Sequence, residues 1–249
     1  NRAIQGLYPP GSTFKLLTAI AGLEKKVITP ETVFYCGGRK SFYGRDFRCD
    51  KATGHGSINL IPAIAQSCDI YFYEIANRLD VDDIYEIARR WGLTVDTGID
   101  LPNEKTTRIP SREWKAKASP QDPKWYAGET ISVGIGQGQV GMTPVGLAKF
   151  YATLANQGRP ITPHLYYGLK NESTGQVDIK PVPPLPSISL EPRYWAVLHE
   201  GLLQTVQSGT AATSRLSGVD MLGKTGTAQV AKFVNRSHYL RQAKTLRDH

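Results

Sequence analysis

The chain predicts a mixed α/β fold, and three observations carry that reading. Apolar residues recur at helical period in several well-separated stretches. Two short β-prone runs between Ile161 and Pro186 flank the turn signal Glu172-Ser173-Thr174-Gly175-Gln176. The 249 residues, 40% hydrophobic and 21% charged, match a globular chain with a substantial core rather than a disordered or fibrous one.

Taken in order, Pro9-Pro10-Gly11 is a turn feeding an apolar run, and Thr13 to Lys26 reads as a helix ended by Val27-Ile28-Thr29-Pro30. Glu31 to Ser57 is turn-rich, with glycines at 37, 38, 44, 54 and 56. Asn59 is placed to cap a helix running to Gln66, with Pro62 tolerated in its first turn. Ile70 to Leu79 continues as a second apolar helix, which leaves Ser67-Cys68-Asp69 at the junction. Asp82 to Trp91 is amphipathic, with Ile84, Ile87, Ala88 and Trp91 on one face and Gly92 as the stop.

Thr97 to Asp122, rich in Pro, Lys and Thr, reads as loop. The glycines between Gly134 and Gly138 lack the strand-to-helix context and the Lys-Ser/Thr of a phosphate loop, so they read as tight turns near a cleft. Thr143-Pro144 opens a helix through Leu154 that ends at Gly158, and Tyr194 to Val206 is a further amphipathic helix. Val219 to Val230 reads as a strand.

Three sparse motifs carry the chemistry. Ser12 stands at the start of the first helix, where unpaired N–H groups favour developing negative charge, and Lys15 lies one turn above it on the same face. A serine is a weak nucleophile until a base takes its proton, and a lysine serves as that base only when burial or nearby positive charge disfavours its own ammonium. Alone, Ser-x-x-Lys is more often a capping serine with a solvated lysine. Here it is followed in order by Ser67-Cys68-Asp69 and by Lys224-Thr225-Gly226-Thr227. The set Ser-x-x-Lys, Ser-x-Asn/Asp, Lys-Thr-Gly is that of penicillin-binding proteins and class A β-lactamases.

With these motifs, and with Tyr8-Pro9-Pro10-Gly11-Ser12, Thr97-Gly98-Ile99-Asp100-Leu101, Trp125-Tyr126-Ala127-Gly128-Glu129-Thr130 and Val133-Gly134-Ile135-Gly136-Gln137-Gly138, the chain resembles the transpeptidase domain of class B penicillin-binding proteins. The form it resembles most is the elongation-specific penicillin-binding protein 2. The resemblance runs nearly end to end and implies one partial transpeptidase domain over residues 1–249. Its implied fold is penicillin-binding protein/serine β-lactamase-like: an antiparallel sheet flanked by helices, an all-helical part beside it, and the site between them.

The implied roles are specific. Ser12 attacks the penultimate D-Ala carbonyl of a stem peptide, Lys15 takes its proton, and Ser67 shuttles protons toward the leaving group and Lys224. Lys224, Thr225 and Thr227 bind the substrate carboxylate, Gly226 leaves room for its backbone, and the N–H groups of Ser12 and Thr227 form the oxyanion hole. Asp69 stands where the commoner motif has Asn; an ionised carboxylate only accepts hydrogen bonds, which suits holding Lys15 or a substrate N–H, and a helix cap is the other role open to it.

Cys36, Cys49 and Cys68, the chain's three cysteines, fall in one stretch with His55. Their spacing is not that of a zinc finger, yet three thiolates and an imidazole complete a tetrahedral zinc set. A disulfide with one cysteine over is the alternative. The resemblance favours a structural zinc ion, since some penicillin-binding protein 2 members hold zinc in this region; none is expected to take part in catalysis.

The formal charge of +8 fits an anionic polymer or membrane surface, and no basic run with interleaved aromatics points to nucleic acid. No apolar stretch approaches the roughly 18 residues of a membrane span. The chain opens on Asn1 and stops in the charged Leu246-Arg247-Asp248-His249, and both ends read as cut. The resemblance implies a domain on the periplasmic face of the inner membrane, on a single-pass anchor outside these residues. Its expected partners are stem peptides ending in D-Ala-D-Ala, β-lactams, a membrane glycosyltransferase and elongation-complex scaffold proteins. The rival readings are a D,D-carboxypeptidase, a serine β-lactamase and a non-enzymatic β-lactam sensor.

Overall fold

In a computed structural model, residues 1–227 are described. A short α1 (Arg2–Gln5) and a 3₁₀ turn (Gly11–Phe14) lead into α2 (Lys15–Glu24), which is buried all round from Lys15 to Leu23. A helix with no solvated face belongs in the middle of a core. Around α2 pack α3 (Leu60–Ala65), α4 (Asp69–Ala76), α5 (Val81–Arg90) and α9 (Pro192–Gln207). The approach of α9 to α3 depends on Gly201, where a Cβ would stand 2.8 Å from that of Ile64.

Local chemistry sets the helix ends. The Asp80 carboxylate accepts from Asp82 N and Asp83 reaches back to Asp80 N, a capping box that starts α5. Thr143 Oγ1 accepts from Gly146 N at 3.0 Å, with Pro144 in the first turn of α8 (Pro144–Ala155). Trp91 joins α5 to both α8 and α9 through Phe150 and Trp195, with ring centroids 5.3 and 5.9 Å away.

The β structure is small. β1 (Phe34–Cys36) pairs antiparallel with β4 (Gly56–Ile58), enclosing a hairpin of β2 (Arg39–Phe42) and β3 (Arg45–Arg48). A second hairpin, β5 (Gly168–Lys170) with β6 (Val177–Ile179), surrounds the turn read from the sequence. The first hairpin is tied to α4 by the buried Glu74 carboxylate, which Lys40 and Arg78 both reach.

Two helices lie where the sequence suggested loop and turns: α6 (Arg112–Ala118), capped by Ser111 Oγ on Trp114 N, and α7 (Ala127–Val133), opened by Glu129 folding back on Tyr126 N. Both are short, and their Lys-, Pro- and Gly-rich surroundings conceal the period. The strand expected over Val219–Val230 is absent from residues 219–227, and 228–230 lie outside the described residues, as do residues 246–249. A strand needs a hydrogen-bonding neighbour, and among the described residues no second strand runs beside this segment. The whole is a mixed fold of helices and small antiparallel sheets, as the α/β class requires. Among the described residues no helix is long and apolar enough to cross a membrane.

Candidate active site

Ser12 sits half-buried in the 3₁₀ turn that enters α2. Three bonds hold the turn: Gly11 N donates to Gly136 O (3.0 Å), Thr13 Oγ1 to Pro10 O (2.7 Å), and the buried Tyr151 hydroxyl to Thr13 O (2.9 Å). Gly136 has φ +69°, and a Cβ on it would stand 2.4 Å from Gly11 O. The glycines between 134 and 138 therefore back the Ser12 turn, and only a residue without a side chain fits at 136.

Lys15, the first residue of α2, is fully buried. Its ammonium donates to Ser67 O (2.7 Å), Ser67 Oγ (3.0 Å) and Asp69 Oδ1 (2.7 Å), which occupies all three N–H groups. Asp69 accepts a further bond at Oδ2 from Asp50 N (3.2 Å). The residue flanking α4 at its start is Cys68, and the Asp69 side chain turns to Lys15 rather than capping the helix.

Ser67 has φ +54°, a left-handed conformation uncommon outside glycine. It closes α3 in a Schellman turn, with Ser67 N on Ile64 O (3.2 Å) and Cys68 N on Ala63 O (3.0 Å). That turn lifts the serine out of the helix line toward the two lysines. Lys224 Nζ donates to Ser67 Oγ (2.8 Å) and to Thr225 O (3.2 Å). Burial and the nearby Lys15 charge bring the Lys224 pKa down to about 7.

The segment carrying Lys224 is held by the end of α9 and the turn after it. Gly223 N donates to Leu202 O (3.2 Å), Thr210 N to Ala65 O (3.1 Å), and the Thr210 and Thr225 hydroxyls meet at 2.7 Å. Gly226 passes the Ser12 turn closely enough that a Cβ would stand 2.9 Å from the Thr13 methyl. Thr227 is exposed beside it. Five residues of the sequence motifs, Lys15, Ser67, Asp69, Lys224 and Thr225, thus converge, and Gly226 lies against the Ser12 turn. Asp50, Tyr151 and Thr210 support the site and carried no sequence signal of their own beyond, for Thr210, a Ser-Gly-Thr turn after a helix.

Cys36, Cys49, Cys68 and His55 also converge, their donor atoms all within 4.8 Å of one another. The His55 Nδ1 lies 3.6 Å from both the Cys36 and the Cys49 sulfur, and all three thiols are free. A hydrogen bond from Cys68 lowers the Cys49 thiol pKa to about 6, while that bond and burial push Cys68 up.

The family model "Penicillin binding protein transpeptidase domain" matches residues 1–244. The chain belongs to this family. A curated relative, the peptidoglycan D,D-transpeptidase MrdA of Acinetobacter baumannii, is 36% identical over 249 residues; the match covers 96% of this chain and 35% of the relative. Among solved structures, Pseudomonas aeruginosa PBP2 in complex with WCK 5153 has a TM-score of 0.81 at 39% identity, covering 92% of this chain and 52% of that one. Helicobacter pylori PBP2 in complex with MreC has a TM-score of 0.79 at 32% identity, over 92% and 42%. The penicillin-binding protein transpeptidase domain described here therefore spans about a third of the MrdA relative and about half of the P. aeruginosa chain. The three motifs of this family are the segments that meet around Ser67.

Proposed function

We propose that the domain catalyses peptidoglycan D,D-transpeptidation through a Ser12 acyl-enzyme. The observation that carries this reading is the Ser67 hydroxyl, bonded at 3.0 Å by Lys15 and at 2.8 Å by Lys224, two lysines from opposite ends of the chain. Such an oxygen accepts a proton from one side while giving one to the other.

The resting Lys15 ammonium has no lone pair for the Ser12 proton. Lys224, with its pKa near 7, is partly neutral at neutral pH and can receive a proton through Ser67 from Lys15. A donor peptide whose carboxylate sits against Lys224 and Thr225 favours the charged Lys224 and draws the proton that way. Neutral Lys15 then takes the Ser12 proton as Ser12 Oγ attacks the penultimate D-Ala carbonyl. The N–H groups of Ser12 and Thr227 hold the oxyanion, and Gly226 lets the donor backbone pass. Collapse expels the terminal D-Ala, whose amine receives its proton by way of Ser67. The amine of a second stem attacks the ester carbonyl, loses its proton along the same route and frees Ser12. A β-lactam enters the first half of this cycle and stays on Ser12.

Cys36, Cys49, His55 and Cys68 would hold a structural zinc ion. With sulfur about 2.3 Å and nitrogen about 2.0–2.1 Å from a tetrahedral zinc, a thiolate and an imidazole would stand about 3.6 Å apart, which the 3.6 Å separations of His55 from two thiols match. A disulfide would leave one thiol and the imidazole over. The ion's chemistry is bracing: Cys68 follows Ser67 directly, and Asp50, next to Cys49, holds Asp69. No catalytic cofactor is needed. The domain would act on the periplasmic face of the inner membrane, on an anchor outside these residues, with a membrane glycosyltransferase and elongation scaffold proteins of the MreC kind.

The test is the intact mass of the protein after brief exposure to benzylpenicillin, followed for hours, beside Ser12→Ala. A one-to-one adduct that persists, and is missing in the variant, is expected. An adduct hydrolysed within seconds makes the domain a β-lactamase, and no adduct from folded wild type ends the acyl-enzyme reading.

A further inference from the structure

A cleft of about 460 Å³ lies between the β2–β3 hairpin and α7, with Tyr43, Arg45, Phe47, Trp125, Tyr126 and Gln139 among its walls. We propose that it is the subsite for the second substrate, the stem peptide that brings the amine to the acyl-enzyme. This rests on the transpeptidase reading and adds to it where, and by what contacts, the acceptor is held.

Position is the first argument. One wall, β3, continues through Cys49 to Asp50, whose N–H is on Asp69. The other wall runs from α7 to Gln139 past Gly136, whose carbonyl holds the Ser12 turn. Both walls therefore continue, through the chain, into segments that hold the reacting centre. From Arg45 to Asp50 is five residues, roughly 16 Å of extended chain, a span that a four- or five-residue peptide matches. None of the cleft's residues belongs to the Lys224–Thr227 segment, which lies on Pro10 and Thr13 and serves the donor. A two-substrate enzyme needs a second approach, and this is one.

Chemistry is the second argument. Tyr43 and Tyr126 stand 63% and 48% exposed in the cleft over a floor that includes Phe47 and Trp125. Of its charged groups, Lys115 is engaged with Glu129 at 2.6 Å and with Asp122 at 3.9 Å. Arg45 has no ion pair or side-chain hydrogen bond among the described residues, and its guanidinium is exposed. A site with an aromatic floor and one unneutralised guanidinium fits a peptide with a carboxylate flanked by aliphatic stretches, which a stem peptide is, better than an uncharged sugar chain.

Preorganisation is the third. Tyr43 and Gly44 form the two-residue turn of the hairpin, with φ +49° and +74°. An aromatic side chain held at positive φ on an exposed turn is a local strain that a glycine or asparagine would avoid. Tyr126 is fixed across the cleft by the buried Lys115, whose Nζ lies 4.8 Å from its ring centre.

The experiment measures partition in the intact protein. A D-Ala-D-Ala donor peptide is supplied with increasing amine-bearing stem peptide, and cross-linked and hydrolysed products are counted by mass spectrometry for wild type, Arg45→Glu and Tyr43→Ala. Loss of a charge-assisted contact should raise the acceptor concentration for half-maximal cross-linking about tenfold or more in Arg45→Glu. Tyr43→Ala should raise it severalfold, and Arg45→Lys should recover most of the loss. Benzylpenicillin acylation, read in parallel, should stay near the wild-type rate. Normal acylation with unchanged partition overturns the subsite alone, as does a shift that appears only with glycan-linked acceptor. Acylation slowed as much as cross-linking assigns the effect to the donor side and overturns it too. No acylation of wild type overturns the transpeptidase reading itself.

Discussion

Lys224 Nζ lies 2.8 Å from Ser67 Oγ, across 157 positions of sequence, on the same oxygen that Lys15 reaches. Because its pKa is near 7, Lys224 can relieve Lys15 of a proton only when it is itself neutral. The acylation constant of free enzyme, measured with benzylpenicillin across pH 5 to 9, should therefore rise through about pH 7 on its acid limb. That apparent value belongs to the linked lysine–serine–lysine set rather than to one residue. Arginine does not release its proton, so Lys224→Arg should lose on the order of 10²-fold or more at every pH. A flat profile, or an active Lys224→Arg, would count against the relay. Stability carries its own sign. A lysine with a depressed folded pKa binds fewer protons folded than unfolded between about 7 and its ordinary 10.5, so unfolding free energy should rise with pH across that window. Lys224→Met should flatten that slope.

Ser67 pays for its position with a left-handed backbone, φ +54° at the Schellman turn of α3. Glycine adopts this conformation freely, whereas alanine keeps the Cβ penalty of about 1 kcal/mol. Both Ser67→Gly and Ser67→Ala remove the hydroxyl between the lysines and should abolish acylation. The glycine variant should nevertheless melt a few degrees above the alanine variant, about 2–4 °C for a chain of this size. Equal melting temperatures would mean that the turn stores no strain.

How much of this was legible in the chain depends on what kind of signal each part leaves. α2, α5, α8 and α9 have a face or a cap written in consecutive residues, and they form where the pattern places them. α6 and α7 are held by contacts that sequence does not display, such as Lys115 on Glu129. The Lys224 segment looked like a strand because Val219 to Val230 has strand-like composition, but pairing depends on a neighbour rather than on composition. The residues that converge around Ser67 were readable because three rare motifs coincide. Their supports were not: Asp50 acts through a backbone N–H, which any residue has, and Thr210 acts through a turn whose partner is 15 positions away.

Gly136 is the least replaceable of the supporting residues. A Cβ there would meet Gly11 O at 2.4 Å and Phe14 Cβ at 2.6 Å, both fixed atoms of the Ser12 turn, and the φ of +69° disfavours any side chain. Gly136→Ala should cost about 1–3 kcal/mol and move Ser12, so that acylation slows more than the melting temperature alone would suggest. Gly128→Ala is the control: a Cβ on Gly128 meets nothing within 4 Å. If both variants acylate at the wild-type rate, the glycine stretch does not position the serine.

The cysteine–histidine set makes the last prediction, since a metal bound there would be coupled to a serine that it does not touch. Purified protein should contain about one zinc per chain, by elemental analysis, held by three thiolates and one imidazole. Binding favours the folded state, so stripping the ion with a strong chelator should lower the melting temperature, and returning zinc should restore it. Acylation should fall with metal removal, because Cys68 anchors the turn that aims Ser67 and Asp50 beside Cys49 holds Asp69. The loss should be partial and reversible, since no step of acyl transfer passes through the ion. His55→Ala should release zinc at a lower chelator concentration while leaving Ser12, Lys15 and Lys224 in place. Metal-free protein that melts and acylates like the zinc-loaded form would make the four side chains a packed cluster and nothing more.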